Sequence, residues 1–179
     1  SGYFHGAGWN INSQYVVVLK QRVKSHAKWL FDLLHELYHV FVHLQGSEDV
    51  IIETTEINPL SNEDGKEAEA NSFASQVIFN GNPEPYAQEA VRLAKGKVEF
   101  LRDAVQEVAK QHKIQVDSLA NYVAHRLSFQ GTQWWGTAEG LQVNEPDPFK
   151  IAKNELIENI EMKRLSTIDV NLLSTALKI

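Results

Sequence analysis

The chain contains no cysteine in its 179 residues. That excludes disulfide bridges and every thiolate-based zinc or redox site, so any metal must rest on histidine and carboxylate ligands. It also fits a reducing, cytoplasmic setting. No apolar run approaches the roughly 20 residues that a membrane-spanning helix requires, and Ser1-Gly2-Tyr3-Phe4-His5 lacks the charged-then-apolar pattern of a secretory signal. Basic residues are in the minority: 17 Lys and Arg stand against 23 Asp and Glu, for a net charge of −6. Phosphate contacts need clustered basic groups, so direct nucleic-acid binding by this chain is not expected. Internal repeats and low-complexity tracts are lacking as well. What remains is a composition ordinary for a globular protein, 43% hydrophobic and 22% charged. The length suits one domain with a buried core and room for a small appendage.

The hydrophobic pattern divides this chain into a few strands and many helices. Residues 15–22 carry a β-branched run that predicts a strand, and 49–57 predict a second, closed by Asn58-Pro59. Residues 27–44 read as a strongly apolar helix ended by Gly46. Ser61 or Asn62 is a suitable cap for a helix over 63–79, which Asn80-Gly81-Asn82-Pro83 ends. A long helical stretch follows from about 85 to 113 with Gly96 as its break, then a shorter helix over 116–127. Glycines and prolines punctuate 130–148 as a turn-rich segment, and helices are expected over 148–163 and 168–178. The layout is α+β, a small antiparallel or mixed sheet with a dominant set of helices.

The helix over 27–44 holds the chemistry. It contains His35-Glu36-Leu37-Tyr38-His39. Four residues of α-helix advance about 6 Å and roughly one turn, so His35 and His39 project from one face and can grip a single ion. Glu36 lies about 100° around the helix, beside such an ion, where it can take a proton from an activated water. With His35 at 0°, Lys28, His39, Asp32, His43 and Glu36 fall between about 20° and 100°. The remaining positions are apolar or aromatic. An ordinary surface helix shows a broad polar face; this narrow stripe on an otherwise buried helix calls for a partner, and a metal is an efficient one.

Two histidines do not hold zinc firmly, and a catalytic site adds a third protein ligand while leaving a position for water. Downstream candidates are Glu48, Glu53, Glu56, Glu63, Glu67 and Glu69, with Asp49, Asp64 and His43. On the helix over 63–79, Ala70, Phe73, Ala74, Val77 and Ile78 define an apolar arc. Glu67 falls inside that arc and Glu69 just outside it, while Glu63 and Asp64 suit the first turn. A core-facing carboxylate needs a cation, so Glu67 is the expected third ligand. Asn71, one turn on, shares its face and can orient a ligand histidine. His43 is expected to cap the pocket or to be a satisfied core histidine. His112, Tyr122, His125 and Arg126 have the right chemistry to stabilise an oxyanion, and Trp134-Trp135 reads as a packing pair.

These residues resemble the ImmA/IrrE metallopeptidase family. The likeness rests on His35-Glu36-Leu37-Tyr38-His39 followed by Glu67-Ala-Glu-Ala-Asn71-Ser-Phe73-Ala74, and extends over roughly residues 7–130. The resemblance implies a zincin-like domain over 1–130, with 131–179 a C-terminal helical extension packed on it. It implies Zn2+ held by His35, His39 and Glu67, with Glu36 as general base. Similar proteins are often fused to, or encoded beside, an Xre-type helix-turn-helix repressor or antitoxin, so a protein substrate of that kind is implied. Phe79-Asn80 stands where the family usually ends this helix with Met-Pro or Ile-Pro, and Tyr38 replaces a common glycine and is expected to narrow the cleft. The competing readings are a non-proteolytic regulatory or sensory module that keeps the metal site, and a zinc amidohydrolase on a non-peptide substrate.

Overall fold

The structure is a computed structural model that describes residues 6–11, 14–19, 24–44, 50–53 and 65–178. Within them the chain is α+β, as its sequence pattern predicts. Strands β1 (Gly6–Ile11), β2 (Gln14–Leu19) and β3 (Val50–Glu53) form one sheet in the order β2-β1-β3. Both pairings are antiparallel: Gly6 faces Leu19 and Ile11 faces Gln14 on one side, and Gly6 faces Glu53 on the other.

The central strand, β1, is the element that sequence reading misses. Its Gly-Ala-Gly-Trp-Asn-Ile sequence has too few β-branched residues to announce a strand. Its two glycines have a steric cause. A Cβ on Gly6 would lie 1.8 Å from Glu36 Oε1, and one on Gly8 would lie 2.7 Å from Val40 Cγ2. Period two puts Gly6 and Gly8 on the same face of the strand. Small residues there let the motif helix lie directly on the sheet.

Helix α1 (His26–Tyr38) starts at Ser25, whose hydroxyl accepts a hydrogen bond from Lys28 N at 3.2 Å. It continues into a π-helical turn, His39–His43, in which Leu44 N donates to His39 O across five residues at 3.0 Å. The expectation of a helix buried on all but a narrow stripe is overturned. Leu30, Leu33 and Phe41 are exposed, at 42%, 39% and 64%, whereas His35, Glu36 and His39 are almost fully buried. The helix is covered on its polar side, where it meets α2 (Gly65–Phe79) and β1.

The predicted helices over 63–79, 85–113 and 116–127 correspond to α2, α3 (Glu84–Leu93), α4 (Val98–His112) and α5 (Val116–Ser128). The break falls where Lys95 and Gly96 both take left-handed φ values, 52° and 69°. The proposed caps Ser61 and Asn62 lie outside the described residues, as do 54–57 of the second predicted strand and 20–22 of the first. The turn-rich segment holds a short helix, α6 (Trp135–Glu139). Trp134, Ala138 and Leu141 from this region join Val105, Val108, Leu119 and Val123 in a single hydrophobic cluster, so Trp134 is a core residue. Helices α7 (Pro148–Asn159) and α8 (Thr167–Leu177) follow; α7 buries no residue and α8 only Leu177.

Gln142 ties the core to the motif helix. Its side chain donates to Ala138 O and Asn121 Oδ1 and accepts from the Ser25 hydroxyl and Asn121 Nδ2. Next to it, His26 N donates to Val143 O at 2.9 Å. The start of α1 is therefore anchored on the helical core, its middle on the sheet, and its histidine-bearing side on α2.

Candidate metal centre

Side chains from two helices converge on one point. His35 Nε2 and His39 Nε2 are 3.0 Å apart. Glu67, from the first turn of α2, places Oε2 at 3.1 Å from His35 Nε2 and Oε1 at 3.2 Å from His39 Nε2. The three are a grouping able to hold a metal ion. Four-coordinate zinc with ligand bonds of about 2.0–2.1 Å sets neighbouring ligand atoms about 3.3 Å apart. The observed separations fit that geometry after an outward shift of a few tenths of an ångström.

The hydrogen-bond partners determine which atoms point inward. Asn71, 3% exposed, presents its side-chain oxygen to His35 Nδ1 at 3.0 Å. A carbonyl oxygen only accepts, so His35 carries a proton on Nδ1, and Nε2 is the atom that faces the cluster. On the other ligand, His39 Nδ1 meets His43 Nδ1 at 2.8 Å. Hydrogen bonds from His35 and then His39 hold the Glu67 carboxyl well below the usual carboxylate range, against an opposing push from burial. Two imidazole Nε2 atoms and an ionised carboxylate aimed at one point constitute a donor set that suits a cation, which would take the place of the protons between them.

Glu36 follows His35 and is completely buried, its carboxylate against the backbone of Gly6. Asn71 lies where the sequence places it, on the face of α2 that also carries Glu67. That face is only partly buried: Ala70 and Ala74 are inaccessible, but Phe73 and Val77 are 36% and 51% exposed. Glu69 is turned outward and takes the Tyr38 hydroxyl and His43 Nε2, each at 3.4 Å. Tyr38 packs its ring on Phe73 at 5.2 Å and on His43 at 5.3 Å. On the wheel it lies about 160° from Glu36, on the opposite flank of α1. Of the other third-ligand candidates, Glu48, Asp49, Glu56, Glu63 and Asp64 lie outside the described residues, and so does the side chain of Glu53.

The four candidate oxyanion stabilisers have other partners. Arg126 Nε and the Tyr122 hydroxyl both bind Glu84, at 2.9 and 3.1 Å, which fastens α5 to α3. Burial first, and Glu84 second, push the Tyr122 hydroxyl up to about 12. His112 Nε2 binds Glu89 at 2.8 Å, and His125 stacks edge-on against Trp135 at 4.5 Å.

A sequence model of a peptidase family, described as the IrrE N-terminal-like domain, matches residues 3–121. The chain belongs to this family. The match takes in the whole sheet, the HExxH helix, the Glu67 helix and most of the α3–α5 core, so the IrrE-like unit includes every group placed at the metal centre. The resemblance seen in the two motif helices is thereby borne out, and the chain carries the fold and ligand pattern of a metallopeptidase family. No curated protein and no solved structure matches the chain significantly. Sequence reading missed two features of this IrrE-like site. One is Gly6 as the wall behind Glu36, for which the small residues at period two in Gly6-Ala7-Gly8 were the available signal. The other is the π-helical turn, which left no signal in residue pattern.

Proposed function

We propose that this protein is a zinc-dependent endopeptidase of the IrrE-like family that cleaves a transcriptional repressor or antitoxin. The observation that carries this reading is the convergence of His35 Nε2, His39 Nε2 and the Glu67 carboxylate beside a buried glutamate. Two histidines and a carboxylate, with no thiolate available, are a ligand set of catalytic zinc, which leaves a fourth position open. When bound, the metal supplies Lewis-acid chemistry that makes water a competent nucleophile at neutral pH. Glu36 takes the proton from the attacking water and delivers it to the leaving amine. Its burial against Gly6 keeps the carboxylate in one place, and Asn71 keeps His35 in the tautomer that binds metal.

The support for peptidase chemistry over a structural metal is Glu36 itself. A purely structural site does not need a fully buried carboxylate beside its ligands. The outward packing of Tyr38 on Phe73 and Glu69 speaks against a plug in the cleft. The net charge of −6 leaves DNA recognition to the substrate or to a linked unit. We place the reaction in the cytoplasm, where such regulators act. No helix among the described residues is long and apolar enough to cross a membrane.

The test is zinc content and cleavage of any helix-turn-helix regulator encoded beside the gene, for wild type and Glu36→Gln. Both proteins should bind one equivalent of zinc, and the variant should cleave about two to four orders of magnitude more slowly. A wild-type protein that takes up no zinc removes the site assignment. A zinc-loaded wild type that leaves the regulator intact removes the substrate assignment.

A further inference from the structure

His43 is a third histidine one turn beyond the HExxH pair, and it lies outside the group able to hold the ion. Its side chain is nonetheless only 8% exposed. Its Nδ1 meets His39 Nδ1 at 2.8 Å, and the rings are tilted 49° with centroids 5.0 Å apart. On its other side, Nε2 lies 3.4 Å from Glu69 Oε2, and the Tyr38 ring crosses it nearly at right angles, at 82°. The helix changes its hydrogen-bonding register within this segment, becoming π-helical from His39 to His43. Such turns are rare and tend to occur at functional sites.

The direction of each proton follows from the chemistry at the two ends. For His39 to present a lone pair at Nε2, its proton must sit on Nδ1, which then donates. Among the described residues the partner there is His43 Nδ1, so that nitrogen accepts, and His43 carries its proton on Nε2. That proton points to a carboxylate, Glu69, which only accepts. The order Glu69, His43, His39 is thus self-consistent in a single pattern of donors and acceptors. It serves His39 as Asn71 serves His35.

We propose that His43, held by Glu69 and Tyr38 and brought into register by the π-helical turn, is the positioning residue that fixes the tautomer and orientation of His39 for metal binding. This inference rests on the reading of His35, His39 and Glu67 as the ligand set. His43 touches neither the metal point nor a substrate, and acts through His39. An outer partner of this type typically changes metal affinity by about 10- to 100-fold. Glu69 is exposed and further away, so its own contribution is smaller.

The test measures zinc affinity by competition with a chromophoric chelator, on full-length wild type, His43→Leu, His43→Asn and Glu69→Gln. Leucine fills the space without an acceptor, whereas asparagine can place its oxygen near the lost Nδ1. His43→Leu should weaken zinc binding about 10- to 100-fold, His43→Asn should recover most of that loss, and Glu69→Gln should cost only a few-fold. Nitrogen-15 NMR of zinc-loaded wild type should show the His39 proton on Nδ1 and the His43 proton on Nε2. Wild-type affinity in His43→Leu, equal weakening in His43→Leu and His43→Asn, or a His43 proton on Nδ1 would each overturn the proposal. If His43→Leu does not fold, the asparagine variant and the NMR assignment still decide. A wild type without zinc affinity would instead overturn the ligand set, a result distinct from all of these.

Discussion

Glu36 fits against the sheet only because the strand behind it has no side chain at Gly6. A methyl group there would fall 1.8 Å from the carboxylate oxygen and 2.5 Å from its carbon. Gly6→Ala must therefore expel the Glu36 carboxylate, the proposed general base, from its place or push the strand off the helix. We expect zinc affinity within a few-fold of wild type, since the atoms nearest that methyl all belong to Glu36, and a loss of peptidase activity close to that of Glu36→Gln. The control is Gly8→Ala, whose methyl would press on Val40 Cγ2 at 2.7 Å, away from the carboxylate. It should cost about 1–3 kcal/mol of stability by overpacking while a larger share of the activity survives. Paired zinc titrations and cleavage rates distinguish the two substitutions; equal activity loss in both would mean that Gly6 has no special relation to Glu36. At this scale the grouping of His35, His39 and Glu67 was legible in the sequence, because a four-residue spacing on a helix and one acid in an apolar arc each point to one place. Gly6 was not, because a glycine carries no sign of what lies opposite it.

The elements hold the site by different means at each end of α1. Its first turn is closed by Ser25, whose hydroxyl both caps Lys28 N and donates to Gln142, so one oxygen joins the helix start to the α5–α6 core. Ser25→Ala removes the cap and one of the two donors to the Gln142 oxygen. Loss of an N-cap costs about 0.5–2 kcal/mol, and the upper part of that range is expected here because the second hydrogen bond is partly buried. Urea denaturation of metal-free protein measures it, and a change below about 0.3 kcal/mol would show that Gln142 does not depend on Ser25. The helices were legible for a shared reason: α2 to α5 each bury one face, and glycine or proline follows α2, α3 and α5, whereas α4 stops at Lys113 in the left-handed region. β1 was hidden because its glycines accommodate a helix that is distant in sequence. The exposed apolar flank of α1 was unexpected for a related reason. Helix periodicity shows which residues share a face, but only tertiary contact decides which face is covered, and here it is the one with the histidines.

Across the whole molecule, the junction of α1, α5 and α6 makes stability depend on pH through one histidine remote in sequence from the motif. His125 lies against Trp135 at 4.5 Å, and Lys28 Nζ sits 5.6 Å from the centre of the same indole. Burial, and then the positive charge of Lys28, push the imidazole down to about 4. In the unfolded chain its value is about 6.5. The folded state therefore resists a proton that the unfolded state accepts. Its contribution to stability is fully present above about pH 6.5 and is lost progressively as pH falls toward 4. After allowance for the partial exposure of the ring, the contribution lost between pH 7 and pH 5 is on the order of 1–2 kcal/mol. The measurement is urea unfolding at both pH values, with a chelator present so that metal release adds nothing, for wild type and His125→Gln. The variant loses the ring contact and starts from lower stability, so the comparison is between the two pH-dependent differences. Every other side chain is common to the two proteins, so the difference isolates His125. The wild type should lose about 1–2 kcal/mol more than His125→Gln over that interval. Equal losses would mean that His125 accepts its proton as readily folded as unfolded, and that the junction of α1 with the core has no part in the acid sensitivity of the fold.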